Sequence, residues 1–399
     1  MASPELDGTV YIPNGFEFGW FACGIKATGN DLGLLVCPSG CVAGGVYTTN
    51  LVRASCIDQN KSRTPSPDLR AVFVNSGNAN ACTGKTGAEN SLAIADSVAQ
   101  SIGCSPQQVV VLSTGVIGEQ LPMEKIKTGI VGAAENLSST GQCVAEVTQA
   151  FMTTDKFPKI VSREFDLNGS IYRILGIAKG AGMIGPNMAT MLSVVMTDAP
   201  IAADDIQSML ATAVDQSFNR ISVEGHTSTN DAVILMSSAD EADCSGPDRD
   251  AIQTVLNESC AELAKMIPAD GEGSAHLIEI RVAGARDDEA ADQIARVVAA
   301  SNLVKTAVSG CDPNWGRIVS AVGYAKVAID PDEISLSING ICIYRDGTPL
   351  DFDEGAVSQS MTDRDVLIEL SVGSAAGAAK HWTSDLTVDY VKLNADYRT

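Results

Sequence analysis

"GIAKGAGMIGPNMATMLSVVMTD" occupies residues 176–198 and carries two incompatible signals. Gly180, Gly182 and Gly185 spell G-x-G-x-x-G after an apolar run, which is the spacing of a loop that binds a dinucleotide. Further along, Ala189 and Thr190 place a small residue before a hydroxyl nucleophile, between two apolar segments. The first pattern predicts a phosphate-binding loop, and the second predicts a peptide bond that the chain cleaves by itself.

The residues after the glycines argue against a dinucleotide loop. Such a motif needs a helix directly after its glycines and an acid about 20 residues further on. Asp198 could serve as the acid, but Pro186 and Asn187 disfavour a helix. The run SVVMT at 193–197 favours a strand instead. A glycine-rich turn between two strands therefore explains the three glycines better.

The Ala189–Thr190 bond has the chemistry that self-cleavage requires. A threonine hydroxyl can attack the preceding carbonyl through a five-membered ring, and cleavage frees an α-amine with a pKa of about 7.7–8.0. That amine can act as the base for its own hydroxyl. This mechanism suits a chain with only three histidines, His226, His276 and His381. A threonine on a strand, with no chemistry, is the competing interpretation.

Composition narrows the class of protein. The 399 residues carry a net charge of −22 and are 45% hydrophobic, so we expect two or three globular domains that bind neither nucleic acid nor an anionic membrane surface. Without an apolar stretch of membrane-spanning length or a leader-like start, the chain is expected to be cytoplasmic. Eleven cysteines are expected to be reduced thiols, and Cys37 with Cys41 lacks the second ligand pair of a zinc site.

Strand and helix patterns alternate along the chain. Short β-branched runs predict strands at Ala71–Asn75, Val109–Leu112, Ile171–Ile177, Met191–Thr197, Ala232–Met236, Leu277–Val282, Ser335–Tyr344 and Val366–Val372. Apolar positions at helical spacing predict helices ending near Ile102, following Asp204 as a cap, following Pro247, and over Asp287–Ala300. From about residue 281 the charged residues cluster in turns, which indicates a smaller α+β domain.

Eight sequence blocks, in order over nearly the whole chain, carry a resemblance to a known family. The blocks are NSGNANACTG (75–84), STGVIGEQLPM (113–123), MTTD (152–155), KGAGMIGPNMATML (179–192), FNRISVEGHTSTND (218–231), DGEGSAHLIEIRVAGARDD (270–288), VKTAVSGCDPNWGRI (304–318) and LNADYRT (393–399). Together they resemble the glutamate N-acetyltransferase/ornithine acetyltransferase family of arginine biosynthesis. His226 departs from that pattern, since an acid is common at its position.

The resemblance implies a fold and a division of the chain. It implies an α+β fold with a four-layer αββα core similar to N-terminal-nucleophile enzymes. The core is expected over residues 1–280, a smaller α+β domain over 281–385, and a segment returning to the active site over 386–399. Cleavage is expected to give an α chain, 1–189, and a β chain from 190, which assemble as α2β2.

The resemblance also implies an activity and its residues. Thr190 is expected to accept the acetyl group of N2-acetyl-L-ornithine, releasing L-ornithine, and to pass it to L-glutamate. The implied oxyanion residues are Thr114 and Gly115, and the implied substrate contacts are Thr153, Lys179, Thr190, Glu272, Asn394 and Thr399. No metal or cofactor is expected, although acetyl-CoA remains open as a second acetyl donor. We also expect the charge of Lys179 to lower the pKa of the Thr190 amine.

Two other functions remain open at this point. An aminopeptidase or amidohydrolase of the same self-cleaving fold would pass the acyl group to water instead of to an amine. A non-catalytic binding protein would keep the chain intact and Thr190 buried.

Overall fold

The computed structural model describes residues 9–185, 191–239 and 247–396. Its strands are β1 (Glu17–Phe21), β2 (Leu32–Tyr47), β3 (Ser66–Asn78), β4 (Val109–Val116), β5 (Lys159–Leu167), β6 (Ser170–Lys179), β7 (Leu192–Thr197), β8 (Ile221–Ser222), β9 (Ala232–Ser237), β10 (Leu277–Ala285), β11 (Ser335–Ile338), β12 (Ile341–Arg345), β13 (Thr348–Pro349), β14 (Asp365–Ser371) and β15 (Gly377–Ser384). Its helices are α1 (Ser55–Lys61), α2 (Gly84–Ile102), α3 (Met123–Glu135), α4 (Gly141–Phe151), α5 (Ile206–Asp215), α6 (Pro247–Ala269), α7 (Asp288–Ala300), α8 (Asn302–Ser309), α9 (Trp315–Gly323), α10 (Glu354–Ser360) and α11 (Val388–Asp396).

The first sheet is mixed and has eight strands within the described ranges. Its order is β4-β3-β2-β9-β7-β6-β5, and β1 pairs with β2 outside that path. The pairs β3–β4 and β7–β9 are parallel, and the other pairs are antiparallel. The strands on either side of the predicted cleavage stretch, β6 and β7, therefore lie next to each other in this sheet.

Both faces of the first sheet are covered, so its central strands are apolar on both sides. Alternation of side chains along a strand sends Val194 and Ile234 to the face with α2, α3 and α4. Their neighbours Val195 and Leu235 point to the opposite face, where α5 and α6 pack. Burial on both faces explains why β7 and β9 read as continuous apolar runs.

The second sheet has the order β13-β12-β11-β14-β10-β15-β8. Helix α7 packs on β10 and β15, while α6 contacts β8, β10 and β15 as well as β5 and β6 of the first sheet. Strand β8 joins this sheet by parallel pairing of Ile221 with Trp382 and then leads into the loop 223–231. Two mixed sheets with packed helices confirm the predicted α+β class.

The structure corrects two details of the sequence analysis. The run Ser335–Tyr344 is not one strand, because Asn339 and Gly340 have φ values of 48° and 79° and form the turn of a β11–β12 hairpin. Helix α5 begins at Ile206 with Asp205 at its N-cap, so Asp204 is not the cap. The domain boundaries at 280 and 385 stay a prediction. Within the described ranges, no helix combines the length and apolar character needed to cross a bilayer.

Candidate active site

The predicted cleavage stretch connects β6 to β7, which are antiparallel neighbours with Lys179 paired to Leu192. A dinucleotide motif joins its strand to a helix and a parallel strand, so this connectivity excludes the dinucleotide interpretation. Ala189 and Thr190, with residues 186–188, lie outside the described residues. The described part of the site therefore consists of residues on either side of this stretch.

Two glycines of the motif are explained by close approach of other groups. A Cβ on Gly182 would lie 2.5 Å from Cδ of Glu272, and a Cβ on Gly185 would lie 2.5 Å from the carbonyl carbon of Gly225. The backbone N–H groups of Val223 and Gly225 both donate to the carbonyl of Ile184 at 2.9 Å. The chain just before residue 186 is thus held between the 223–225 segment and Glu272.

Thr114 and Gly115 end strand β4 beside the equivalent end of β3. Gly115 has φ of 130°, and a Cβ there would lie 2.3 Å from the carbonyl carbon of Gly77, so only glycine fits. Asn230 donates from Nδ2 to the carbonyl of Ser113 at 2.8 Å, which ties the 223–231 loop to this strand end. The two predicted oxyanion residues therefore sit at a fixed point of the pocket wall.

Lys179 is 2% exposed and lies at the end of β6, with Nζ 3.3 Å from Oγ1 of Thr114. Burial lowers the pKa of Lys179, and the nearby carboxylate of Asp155 opposes that effect. Asp155 also accepts from the backbone N–H of Gly180 at 2.7 Å and from that of Thr153 at 3.0 Å. One carboxylate thus orders both the turn that carries Thr153 and the chain that follows Lys179.

Glu272 and Asn394 meet on the opposite wall, because the C-terminal helix α11 returns to the pocket. Nδ2 of Asn394 donates to Oε2 of Glu272 at 3.0 Å, and the hydroxyl of Thr387 donates to the carbonyl of Gly273 at 2.6 Å. Gly273 has φ of 66°, and a Cβ there would lie 2.3 Å from the backbone nitrogen of Tyr390. The helix therefore lies directly against the turn that presents Glu272.

Most of the sequence-predicted site residues come together around one pocket of about 200 Å³. Those that line it are Thr114, Gly115, Thr153, Lys179, Glu272 and Asn394. Residues 182–183 of the β6–β7 connection line the same pocket. Thr399, like Ala189 and Thr190, lies outside the described residues.

Sequence reasoning missed three acidic groups near this pocket. Glu224 lines it, and burial raises the pKa of Glu224 to about 7 against the opposing effect of the His226 and Ile184 backbone groups. Asp231 is fully buried beside the start of β7, and Asp155 lies close to Lys179. Two of them belong to the block FNRISVEGHTSTND and one to MTTD, so the resemblance marked their segments without assigning them a role.

The described residues contain no group of three or more histidine, cysteine or acidic side chains that could hold a metal ion. Cys37 and Cys41 lie on β2, where their thiols donate to the carbonyls of Gly40 and Leu69. The pocket itself offers a lysine, carboxyl groups and hydroxyls, a set suited to a small zwitterionic ligand.

Comparison with known proteins places these observations in a family. The ArgJ family model matches residues 17–399. The arginine biosynthesis bifunctional protein ArgJ of Rhodopirellula baltica is 47% identical, with 100% of this chain and 99% of that protein covered. The protein of the same name from a Synechococcus strain is 42% identical, with coverages of 99% and 98%. The crystal structure of ArgJ from Bacillus halodurans is 39% identical, covers 52% of this chain and 100% of its own, and has a TM-score of 0.51.

Proposed function

The chain belongs to the ArgJ family, and we propose that it transfers acetyl from N2-acetyl-L-ornithine to L-glutamate, giving L-ornithine and N-acetylglutamate. Its relatives are named as bifunctional proteins of arginine biosynthesis, which supports this activity. The observation that carries the proposal is the pocket in which Thr114, Lys179 and Glu272 meet residues 182–183 of the connection that contains Thr190.

Thr190, freed as an N-terminus by cleavage after Ala189, is the nucleophile. Its hydroxyl adds to the acetyl carbonyl of acetyl-ornithine while its own α-amine takes the hydroxyl proton and passes it to the departing ornithine nitrogen. The acetyl group then rests on the threonine oxygen until the amine of glutamate attacks it. The positive charge of Lys179 next to this site favours the neutral, basic form of the amine.

Thr114 and Gly115 stabilise the oxyanion in both half-reactions. Their place at the end of β4 is rigid, because Gly77 packs closely against Gly115. Preorganised donors need no rearrangement as charge develops, and removal of one such donor typically costs about 10²–10³ in rate. This rigidity is what an oxyanion site requires.

Charge pairing selects the substrates. Acetyl-ornithine carries a side-chain ammonium and an α-carboxylate, and the pocket offers Glu272 for the first and Lys179 for the second. Thr153, Asn394 and Thr399 complete the set of proposed substrate contacts. Glutamate brings two carboxylates, so it pairs with Lys179 and depends less on Glu272.

The remaining parts of the proposal follow from the family and the cysteines. Transfer through Thr190 needs no metal or organic cofactor, and the "bifunctional" name of the relatives supports acetyl-CoA as a second donor. The α and β chains are proposed to assemble as α2β2. A cytoplasmic location is supported by the cysteines of the described residues, all of which are free.

The test combines the mass of the purified protein with an acceptor assay. We expect the 41.5 kDa chain to appear as two pieces, 1–189 and 190–399, under denaturing conditions, and Thr190→Ala to stay intact. Release of ornithine should then depend on glutamate. Release that proceeds equally well without glutamate would identify an amidohydrolase of the same fold, and an uncut wild-type chain would contradict the proposal.

A further inference from the structure

The chain before cleavage lacks the base that the mature mechanism uses. The nitrogen of Thr190 is then part of an amide, which does not accept a proton at neutral pH. Self-cleavage still has to remove the hydroxyl proton and supply one to the departing nitrogen. His276 is paired with Asp385, and His381 is buried outside the pocket, so the described histidines offer only His226 near the site.

Asp231 contacts the residue that directly follows Thr190. Its Oδ1 accepts the backbone N–H of Met191 at 3.1 Å, and the N–H of Ala232 donates to the carbonyl of Met191 at 3.2 Å. The nitrogen of Met191 is covalently bonded to the carbonyl carbon of Thr190. The carboxyl group therefore accepts a hydrogen bond from the peptide group that joins Met191 to the preceding residue.

The carboxyl group of Asp231 lies near the hydroxyls of Ser228 and Thr48, but its second oxygen, Oδ2, is without a hydrogen bond of normal geometry from the described residues. The residue is 0% exposed. A buried polar atom without a partner is uncommon and costs stability, so its presence beside a reacting group requires an explanation. The parallel pairing of β7 with β9 fixes the carboxyl group at this point, since Leu192 is in register with Ala232.

We propose that Asp231 is the proton-transfer group of self-cleavage. It takes the proton from the Thr190 hydroxyl as that oxygen adds to the carbonyl carbon of Ala189. It returns the proton to the Thr190 nitrogen as the carbon–nitrogen bond breaks, which leaves Ala189 joined to the threonine oxygen as an ester. Water then hydrolyses the ester, giving its hydroxyl to Ala189 and its proton to the threonine oxygen. This inference rests on the proposed function, because it presupposes cleavage at this bond.

The protonation behaviour of Asp231 agrees with this role. Burial raises the pKa of Asp231 to about 8, against the lowering effects of the Met191 N–H, the Ser228 hydroxyl and the Lys179 charge. A group with a pKa near the working pH both accepts and donates protons readily. Lys179 is the charged side chain that faces the carboxyl group from β6.

Asp231→Asn is the decisive variant, because its amide oxygen can still accept the Met191 N–H but cannot take up the hydroxyl proton. The full chain is synthesised in a cell-free system with a label pulse, and the intact and cleaved masses are followed over time. We expect the half-life of the intact chain to lengthen about 100-fold or more, the lower range of acid–base contributions. Asp198→Asn is the matched control and should cut at the wild-type rate, since Asp198 is also buried and accepts the N–H of Arg173 at the other end of β6.

The outcomes separate this inference from the proposed function. If Asp231→Asn cuts at the wild-type rate, Asp231 has no such role and acetyl transfer still stands. If His226→Gln blocks cleavage instead, the proton transfer belongs to His226. An uncut wild-type chain overturns both proposals together.

A second variant decides the matter if Asp231→Asn does not fold, as judged by circular dichroism. Loss of the Lys179 charge in Lys179→Met raises the pKa of Asp231 further, so the rise of the self-cleavage rate with pH should move to higher pH. A purely structural role for Asp231 would leave the position of that rise unchanged. An unmoved profile overturns the inference.

Discussion

Glu272 lines the pocket, and we propose that its charge binds the ammonium of the ornithine side chain. Its carboxylate lies against Gly182 and accepts a hydrogen bond from Asn394, which aims it into the pocket. We expect Glu272→Gln to raise the KM for acetyl-ornithine about 10-fold or more, because a hydrogen bond to a charged group contributes about 1.5–3 kcal/mol. Steady-state kinetics with acetyl-ornithine as the varied substrate measure this effect.

The KM for glutamate is the internal control for Glu272→Gln. Glutamate has no side-chain ammonium to lose a partner, so its KM should change less than about threefold, or fall. Asp389→Asn provides a charge-matched control, because Asp389 is an exposed carboxylate on α11 that pairs with Lys392 on the same helix. An equal rise of KM for both substrates would show that Glu272 shapes the pocket without binding the ammonium group of ornithine.

The candidate site shows which residues a sequence can reveal. Thr114, Lys179 and Glu272 lie in blocks that resemble a known family, and that resemblance implied their place in one site. Asp155 and Asp231 could not be assigned, because their roles depend on contacts distant in the chain. Asp231 accepts the backbone N–H of a residue 40 positions away, and no local pattern encodes that contact.

At the level of elements, a buried ionic network joins the start of β5 to the end of α6. Nζ of Lys159 lies 2.7 Å from Asp155 and 2.6 Å from Asp270, and all three side chains are fully buried. Asp270 in turn accepts the backbone N–H of Lys156 at 2.9 Å. The network thus holds the turn that carries Thr153 against the segment that leads to Glu272.

We expect Asp155→Asn to lower the free energy of unfolding by about 3–5 kcal/mol, because it leaves a buried lysine with one of its two partners. Urea unfolding at pH 7 measures the loss. Glu124→Gln, which removes an exposed partner of Lys127, should change stability by less than about 0.5 kcal/mol. A loss in Asp155→Asn no larger than in this control would mean that the network does not stabilise the fold.

The stabilisation by Asp155 should disappear in acid. Burial acts to raise the pKa of Asp155, but the charges of Lys159 and Lys179 outweigh it and hold the pKa at about 2. A lowered carboxyl pKa contributes stability above the unfolded value of about 3.9, and this contribution is lost as the pH falls toward the folded value. The pKa of Asp270 is raised, because burial outweighs the effect of the lysine charge. We therefore expect the stabilisation that is lost in acid to come from Asp155. Urea unfolding of Asp155→Asn and wild type across this acid range should show the difference between them shrinking.

Strand β2 shows why some elements could not be predicted. Its sequence LGLLVCPSGCVAGGVY contains a proline and a glycine-rich end, which favour a turn at CPSGC. In the structure the pairing with β3 shifts between Val36 and Cys41, and this irregularity accommodates the exposed Pro38 within one long strand. Hydrogen bonds to β1, β3 and β9 keep this segment in one strand, and the local sequence propensity does not predict that result.

At the scale of the whole molecule, the second sheet contributes to the pocket through the short strand β8, as well as through the segments before β10 and after β15 that carry Glu272 and Asn394. Strand β8 pairs with β15, and the loop that follows it carries Glu224 and Asn230 to the pocket wall. Nζ of Lys305 contacts the carbonyl of Val223 and donates to the hydroxyl of Thr383 at 3.1 Å, which fixes the start of that loop. The family resemblance implied the α+β class, but it did not identify the two-residue strand that brings this loop to the pocket.

A shortened chain shows whether helix α11 serves substrate binding without stabilising the fold. Helix α11 has no buried residue among those described, yet Asn394 reaches Glu272 from it. A chain that ends at Tyr390 should therefore melt within a few degrees of the full chain, while its KM for acetyl-ornithine rises about 10-fold or more. Thermal unfolding and steady-state kinetics on the same preparation measure the two effects.

Lys392→Ala is the control for the shortened chain and should change neither quantity, since that lysine is exposed and pairs only with Asp389 among the described residues. Full activity in the shortened chain would show that the returning segment is not part of the site. A large drop in melting temperature would instead show that α11 stabilises the fold. Because exposed elements contribute little to a hydrophobic core, we expect the segment to serve the pocket and not the fold.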